Sequence, residues 1–384
     1  MHIKLEMLTL INFLDSKPLY YDEIDYDRFP IIYNRIKQHF KEPKIIHLVG
    51  TNGKGTTGRF LASALFKNGF KVGHYTSPHI LKFNERIWIN GDDISDEALE
   101  SYHKELIDIL DKDDLDALSY FEYTTLLAMK AFEECDFVVL EAGLGGEHDA
   151  TAVFKKDLTL VTPIDLDHQA FLGSNISSIA QTKLNSIQKS SIIAKQKHKE
   201  VYEVASKIEH ADIKRVEDVL DEDDCKKIDS ISDKLSLASY LRDNLSLAIS
   251  ALKYFGINYK ESDFNNARLF GRLSKIAENI IVDVGHNPLA ASSIVKELGN
   301  NKYTLVYNSY KDKDYKMILS ILKPIIKEVE IISIEGQRVE DVSKLHQVLN
   351  DLMVKYAKFC GVQPDKNYLV FGSFSVVEEF LKEY

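Results

Sequence analysis

Residues 44–57 read KIIHLVGTNGKGTT, a short apolar run that breaks into a loop holding three glycines and one lysine. The pattern predicts a buried strand, a phosphate-sized turn and then a helix. Glycines leave backbone N–H groups free to face phosphate oxygens, Lys54 can neutralise the β/γ charge, and a helix N-terminus adds positive potential. ATP is therefore the first hypothesis for the ligand, with an ordinary glycine-rich turn as the alternative. The proposed nucleotide contacts are Gly50, Thr51, Asn52, Gly53, Lys54, Gly55, Thr56 and Thr57.

The loop departs from the general phosphate-loop pattern G-x-x-x-x-G-K-[ST]. That pattern requires glycine six residues before the lysine and Ser or Thr directly after it, where this chain has Leu48 and Gly55. An ordinary GTPase or kinase is accordingly disfavoured.

Short apolar runs alternate with helical patterns along the whole chain, which predicts an α/β fold with a mostly parallel sheet. Beyond the first run they cover residues 136–140, 158–163, 191–194, 279–284, 303–307, 329–334 and 368–371. Gly256 follows a helical pattern over 235–254 and can end it. We therefore predict an ATP-binding domain over 1–257 and a smaller α/β domain over 258–384. The acidic stretch 212–233 is interpreted as a solvated excursion.

Composition narrows the class of protein. With 384 residues, 45% of them apolar, the chain can fill two cores. A net charge of -11 argues against a nucleic-acid partner. No apolar run approaches the ~20 residues that span a bilayer, and residues 7–14 lack the features of an export signal. We expect a cytoplasmic protein with no membrane partner and three reduced cysteines.

Polar residues follow several of the predicted strands. Glu141 ends the strand 136–140 at the edge where open α/β sheets place their sites, which makes it a candidate magnesium ligand or a cap of the next turn. Ser77, in the turn Thr76-Ser77-Pro78, could supply a hard oxygen ligand to the same ion. His168 stands in Asp165-Leu166-Asp167-His168, where a lone histidine is more often structural.

The sequences of these segments resemble those of the folylpolyglutamate synthase/dihydrofolate synthase family of the Mur ligase superfamily. The resemblance runs from about residue 40 to the C-terminus, and six motifs occur in family order. They include GTNGKGT at 50–56, TSPH at 76–79, EAGLGGEHDAT at 141–151 and DVGHNP at 283–288. The family fold is a Mur-ligase-like phosphate-loop ATPase domain followed by a smaller C-terminal α/β domain.

The resemblance implies an ATP-dependent ligase that adds L-glutamate to dihydropteroate, to reduced folates, or to both, through an acyl phosphate. It implies two magnesium ions on Ser77, Glu141 and His168, and a catalytic set of Lys54, Lys183 and His286. Lys183 corresponds to a lysine that the family carries as a carbamate, with a plain surface lysine as the alternative.

The remaining implied contacts fall into two groups. Asn244, Arg272 and Asp283 would contact the nucleotide. The acceptor would meet Ser119, Tyr120, Phe121, Glu122, His148, Asp149 and Ala150, because aromatic rings stack on a flat heterocycle and carboxylates pair with its N–H groups. We expect a monomer. A superfamily ligase for a different carboxylate, or a phosphate-loop ATPase that makes no amide, remain the alternatives.

Overall fold

The protein is described here from a computed structural model that covers residues 9–18, 25–299 and 301–384. The described residues form two sheets with helices, which confirms the predicted α/β class. Of the stretch 7–14, residues 7 and 8 lie outside the described ranges. Within those ranges, no helix combines the length and the apolar character needed to cross a membrane.

The first sheet has eight strands among the described residues, in the order β4-β3-β2-β5-β1-β6-β7-β8. They are β1 (Lys44–Val49), β2 (Val72–Tyr75), β3 (Ile87–Ile89), β4 (Asp92–Asp93), β5 (Phe137–Glu141), β6 (Leu158–Val161), β7 (Ser190–Ile193) and β8 (Asp212–Arg215). Only the β2–β3 and β3–β4 pairs are antiparallel. β1 is central and buried on both faces, which is why its sequence is an unbroken apolar run apart from His47.

The second sheet has six strands in the described part of the chain, in the order β13-β12-β11-β14-β10-β9. They are β9 (Ser274–Ala277), β10 (Ile280–Asp283), β11 (Tyr303–Tyr307), β12 (Ile326–Ile331), β13 (Tyr356–Lys358) and β14 (Tyr368–Phe371). The predicted strand 329–334 is shifted, because the charged residues Lys327 and Glu328 hid its start. Glu328 is accommodated there by an ion pair with Lys366.

Helices cover the sheets. They are α1 (Leu10–Asp15), α2 (Arg28–Ile36), α3 (Lys54–Lys67), α4 (Asp96–Ile109), α5 (Lys112–Ala117), α6 (Tyr120–Ala131), α7 (Gln169–Leu172), α8 (Ile176–Leu184), α9 (Lys199–Ala205), α10 (Val216–Val219), α11 (Glu222–Lys234), α12 (Ser239–Tyr254), α13 (Pro288–Leu298), α14 (Tyr315–Leu322), α15 (Val342–Asp351) and α16 (Phe374–Glu383). Gly256 follows α12 with a φ of +67°, the conformation expected of a glycine that ends a helix.

The described residues divide into two compact units. Unit 1 comprises 9–18, 25–166, 172–231 and 243–267, and unit 2 comprises 167–171, 232–242, 268–299 and 301–384. The assignment of domain functions to 1–257 and 258–384 stays a prediction.

The acidic stretch 212–233 is more ordered than a solvated excursion. It forms β8, α10 and most of α11, and Asp224 is buried, pairs with Lys253 and accepts a hydrogen bond from Tyr259 at 2.8 Å. The other acidic residues of the stretch are exposed, as predicted, and Asp224 is the exception because its partners lie about 30 residues further along the chain.

Candidate active site

The glycines of the loop after β1 are required by its shape. Gly53 has a φ of +92°, and a Cβ built on it would lie 2.4 Å from Oδ1 of Asn244. Gly50 has a φ of +142°, and its Cβ would lie 2.0 Å from Oγ1 of Thr162. Side chains rarely adopt either conformation. The structure thus places Asn244, predicted on the nucleotide, directly against the loop.

Two lysines converge on one carbonyl of this loop. Lys54 Nζ donates to Gly50 O at 3.2 Å and lies 3.9 Å from Glu141 Oε1. Lys183 Nζ donates to the same carbonyl at 2.9 Å and is only 5% exposed. The surface-lysine alternative for Lys183 is therefore wrong. Two cations beside one loop form a site suited to phosphate oxygens.

The N–H groups of the loop divide into two sets. Those of Thr51 and Asn52 donate to Pro163 O at 2.9 and 3.3 Å, so they hold the loop against the residue that follows β6. The first-turn N–H groups of α3, from Lys54 on, point along the helix axis without acceptors within the helix. Gly55 lies in this turn, so the anion-facing part of the loop is its second half.

The hydroxyls of Thr56 and Thr57, in the first turn of α3, are buried and have no hydrogen-bond partner among the described residues. A buried hydroxyl without a partner costs stability, so such a pair indicates a polar ligand. The loop leaves no room for a Cβ at Gly50 or Gly53, and it places these two buried hydroxyls beside it. Both features fit a nucleotide triphosphate and its metal ion.

Glu141 lies at the carboxyl end of β5 and is 5% exposed. Its Oε2 accepts a hydrogen bond from the Thr76 hydroxyl and a longer one, at 3.4 Å, from the Ser77 N–H. Ser77 and Glu141 are thus neighbours, as a shared metal site would require. The described residues contain no cluster of three or more His, Cys, Asp or Glu that could hold a metal. Magnesium, which keeps waters and phosphate oxygens as ligands, suits so sparse a set.

A cavity of about 210 Å³ lies in unit 1 beside the loop that follows β5. Its lining includes Glu122, His148, Asp149 and Ala150, four of the residues predicted to meet the acceptor. Tyr26 also lines it, and its ring lies 4.2 Å from that of His148. An aromatic wall facing carboxylates matches a flat, N–H-bearing ligand.

Asp149 is held by three donors. Its Oδ1 accepts from the N–H and the hydroxyl of Thr151 at 2.9 and 2.6 Å, and its Oδ2 accepts from Leu144 N–H at 2.8 Å. Burial raises the pKa of Asp149, and these hydrogen bonds oppose that rise. A carboxylate has about four acceptor sites, so roughly one remains for a ligand.

Glu122 serves the fold as well as the cavity. Its two oxygens accept from Arg28 at 2.9 and 2.8 Å, and Oε2 also accepts from Ser119 N–H at 2.7 Å. Ser119 in turn caps α6 through its hydroxyl. A ligand would therefore meet a carboxylate already neutralised by arginine.

The aromatic residues Tyr120 and Phe121 do not line this cavity. Tyr120 packs under Arg86, whose guanidinium carbon lies 5.3 Å from the ring centroid. Phe121 packs on Tyr75 and beneath Gly143, where a Cβ would come within 2.5 Å of its ring. Both rings support the walls of unit 1, and their contact with an acceptor stays a prediction.

In unit 2, His168 and His286 share a neighbour that the sequence did not single out. Asp167 pairs with Lys313 at 2.6 Å and lies 3.7 Å from His286 and 3.8 Å from His168. Burial opposes ionisation of Asp167, but its interaction with His286 and the charges of His168 and Lys313 outweigh it and lower its pKa. Lys313 lies in the charged stretch 311–314.

Asp283, at the end of β10, is buried and accepts three hydrogen bonds. It accepts from Tyr240 OH at 3.2 Å, from Leu273 N–H at 2.9 Å and from Gly285 N–H at 2.8 Å. It therefore fastens the turn that bears Arg272 to the turn that bears His286. Arg272 itself donates to Gly271 O at 3.0 Å. The contact of Asp283 with the nucleotide stays a prediction.

Sequence reasoning missed Arg28, His47 and Thr76. Thr76 stood beside Ser77 in a quoted motif, so a hydroxyl next to a proposed ligand was the available signal. His47 was also visible, as the one polar residue of a buried strand. Arg28 gave no signal, since its partner Glu122 is 94 residues away.

Comparisons with known proteins identify the family of the chain. A scan against models of protein families finds no match. The chain is 30% identical to the dihydrofolate synthase/folylpolyglutamate synthase of Haemophilus influenzae over 98% of its own length and 96% of that protein. Among solved structures, Helicobacter pylori folylpolyglutamate synthetase is 41% identical, with a TM-score of 0.79 and coverage of 98% and 97% of the two chains.

A bifunctional folylpolyglutamate synthase/dihydrofolate synthase solved with Mn, AMPPNP and L-glutamate bound is 25% identical, with a TM-score of 0.83 and coverage of 98% of both chains. The family resemblance drawn from the motifs is confirmed. The chain belongs to the dihydrofolate synthase/folylpolyglutamate synthase family.

Proposed function

We propose that the chain is an ATP-dependent ligase that joins L-glutamate to dihydropteroate and to reduced folates. The observation that carries the proposal is the convergence of Lys54 and Lys183 on the Gly50 carbonyl, beside Glu141. The relative solved with a nucleotide analogue, a divalent metal and L-glutamate supports it.

The reaction has two steps. A carboxylate oxygen of the acceptor attacks the γ-phosphorus of ATP and ADP leaves, which gives an acyl phosphate. The amine of L-glutamate, once it has lost a proton, attacks the acyl carbon and expels phosphate. No protein nucleophile is needed, so the chain contributes positioning and charge neutralisation.

Unit 1 supplies the phosphate side of the proposal. Lys54 would offset charge on the transferring phosphoryl group, the hydroxyls of Thr56 and Thr57 would meet the nucleotide or its metal, and Lys183, as a carbamate, would supply an anionic oxygen to the metal. Ser77 and Glu141 would hold magnesium, which supplies charge neutralisation between ATP and the carboxylate. The magnesium role implied for His168, which belongs to unit 2, stays a prediction. Carbamylation of Lys183 is part of the proposal.

We assign the folate side to the cavity beside Asp149. Asp149 lines this cavity together with Tyr26 and His148, which suits a heterocycle whose N–H groups need a carboxylate. Glu147 also lines the cavity, and its Oε2 accepts a hydrogen bond from Asn185 Nδ2 at 2.6 Å.

Unit 2 completes the proposal. Arg272 suits phosphate because its planar fork makes bidentate contacts. His286 is the candidate base for the glutamate amine. In this assignment, residues 1–257 bind ATP and acceptor, and 258–384 form the smaller domain of the ligase. We further propose a cytoplasmic monomer without nucleic-acid or membrane partners.

The test is phosphate release from ATP and magnesium with L-glutamate plus either dihydropteroate or tetrahydrofolate, with products identified by mass spectrometry. The proposal predicts glutamate-dependent turnover with both acceptors. Turnover with one alone would narrow it to that activity, and turnover with neither would refute it in favour of a ligase for another carboxylate. Phosphate release without any acceptor would indicate a plain ATPase.

A matched pair of variants ties turnover to the loop. Lys54→Ala removes the loop lysine, whereas Lys67→Ala removes an exposed lysine from the last turn of the same helix. The first is expected to abolish turnover and the second to leave it unchanged. Equal activity in both would contradict the assigned site.

A further inference from the structure

His47 is a fully buried histidine in β1, three residues before the nucleotide loop. Its Nε2 lies 2.8 Å from the Thr151 hydroxyl. Its other nitrogen, Nδ1, is buried without a hydrogen-bond partner among the described residues. An apolar side chain at this place in a buried strand would avoid that cost.

The direction of each proton follows from chemistry. Asp149, as a carboxylate, only accepts, so the single hydroxyl proton of Thr151 goes to Asp149 Oδ1 at 2.6 Å. The Thr151 oxygen must then accept from His47, which requires a proton on Nε2. Burial and the charge of Lys156 both lower the pKa of His47, in keeping with a neutral ring.

The three side chains form a relay from β1 to the cavity. His47 fixes the Thr151 hydroxyl, Thr151 fixes Oδ1 of Asp149, and Asp149 Oδ2 holds Leu144 N–H in the loop that follows β5. The remaining acceptor site of Asp149 thereby has one orientation. Asp149 lines the cavity, whereas His47 and Thr151 are fully buried behind it.

We infer that His47, acting through Thr151, is a positioning residue that sets how Asp149 presents its carboxylate to the heterocycle of the acceptor. The inference rests on the proposed function of the cavity. It makes His47 a determinant of acceptor affinity, with no role in holding the nucleotide.

Two substitutions at His47 separate the effect of its hydrogen bond from the effect of its volume. His47→Met removes the donor while keeping bulk, and His47→Gln restores an N–H near the place of Nε2. His47→Met loses a hydrogen bond that orients a charged group, so we expect it to bind dihydropteroate at least about tenfold more weakly than the wild-type protein does. KM for the acceptor should rise with little change in kcat, the Kd of AMPPNP should stay constant, and His47→Gln should recover most of the affinity.

His74→Met is the matched control. His74 is also fully buried, on the neighbouring strand β2, with Nε2 unpartnered among the described residues and its Nδ1 3.4 Å from Arg59 Nε. It has no link to Asp149. The control should keep wild-type acceptor affinity, and an equal loss in both variants would overturn the inference by showing a general packing effect.

A double-mutant cycle with Thr151→Val tests the relay itself. If His47 acts through Thr151, adding His47→Met to Thr151→Val should weaken acceptor binding no further. Additive losses would overturn the inference. Wild-type protein that turns over neither acceptor would overturn it together with the proposed function.

One measurement needs neither substrate nor variant folding. Nitrogen-15 NMR of histidine-labelled wild-type protein should show His47 as the neutral Nε2–H tautomer. A neutral His47 ring with its proton on Nδ1 would overturn the relay while leaving the proposed function intact.

Discussion

Replacing Gly53 by alanine tests the shape of the nucleotide loop. Alanine at a φ of +92° carries backbone strain of about 1–3 kcal/mol. For a unit of this size each kcal/mol lowers Tm by about 2–4 °C. The new Cβ would also lie 2.4 Å from Asn244 Oδ1, so the loop or Asn244 must move.

Gly69→Ala separates strain from displacement. Gly69 has nearly the same φ, +89°, but a Cβ there meets nothing within 4 Å. Both variants should lose stability, whereas Gly53→Ala alone should lose nucleotide affinity, by tenfold or more if displacement of the loop costs at least about 1.4 kcal/mol. Calorimetric titration with AMPPNP and thermal unfolding of the same samples measure the two effects.

The combination with Asn244→Ala completes the test. Removing the Asn244 amide relieves the contact but not the strain, so Gly53→Ala should cost less affinity in that background than alone. Wild-type AMPPNP affinity in Gly53→Ala, or an equal loss in Gly69→Ala, would refute the reasoning.

Three further predictions concern buried charge. Glu141→Gln should abolish turnover while circular dichroism and Tm show a folded protein, because the amide keeps the shape but not the charge for magnesium; full activity would contradict its role. Lys183→Met should abolish turnover with little change in AMPPNP affinity, and mass spectrometry should find a bicarbonate-dependent carbamate on wild-type Lys183; an active variant would contradict this. Burial lowers the pKa of Lys156 to about 8, whereas its pKa in the unfolded chain is near 10.5. The free energy of unfolding therefore decreases as pH falls from 10.5 to 8, and the loss is complete below the folded pKa. Denaturant titrations should thus show Lys156→Met gaining stability relative to wild type, by up to about 3 kcal/mol, as pH falls from 10.5 to 7, and a pH-independent difference would contradict the pKa shift.

Local pattern predicted the strands that carry the phosphate side of the site. Residues 45–49 of β1 and 137–140 of β5 are apolar except for His47, because parallel strands are buried on both faces, and a polar residue at a strand end, such as Glu141, falls at one edge of the sheet. β2 was missed because Gly73 and His74 interrupt it. Gly73 is needed since a Cβ there would come within 2.3 Å of the Phe132 ring.

Contacts between residues far apart in the chain could not be predicted from the sequence. The burial of Lys183 depends on its reach to Gly50 O, 133 residues away, and the bond between His47 and Thr151 spans 104. Residues so far apart belong to no common helical or strand repeat, so no sequence pattern indicates that they are in contact. Such long-range polar bonds decide which of several candidate side chains are buried and oriented, so the candidate site was predicted as a set of residues but not as a geometry.

The central claim is that the acceptor carboxylate is activated by phosphorylation. Dihydropteroate carrying oxygen-18 in both carboxylate oxygens, incubated with ATP, magnesium and L-glutamate, tests it directly. The account predicts that each phosphate released carries one labelled oxygen, because the oxygen that attacked phosphorus leaves with it. Unlabelled phosphate alongside product formation would contradict the acyl-phosphate route.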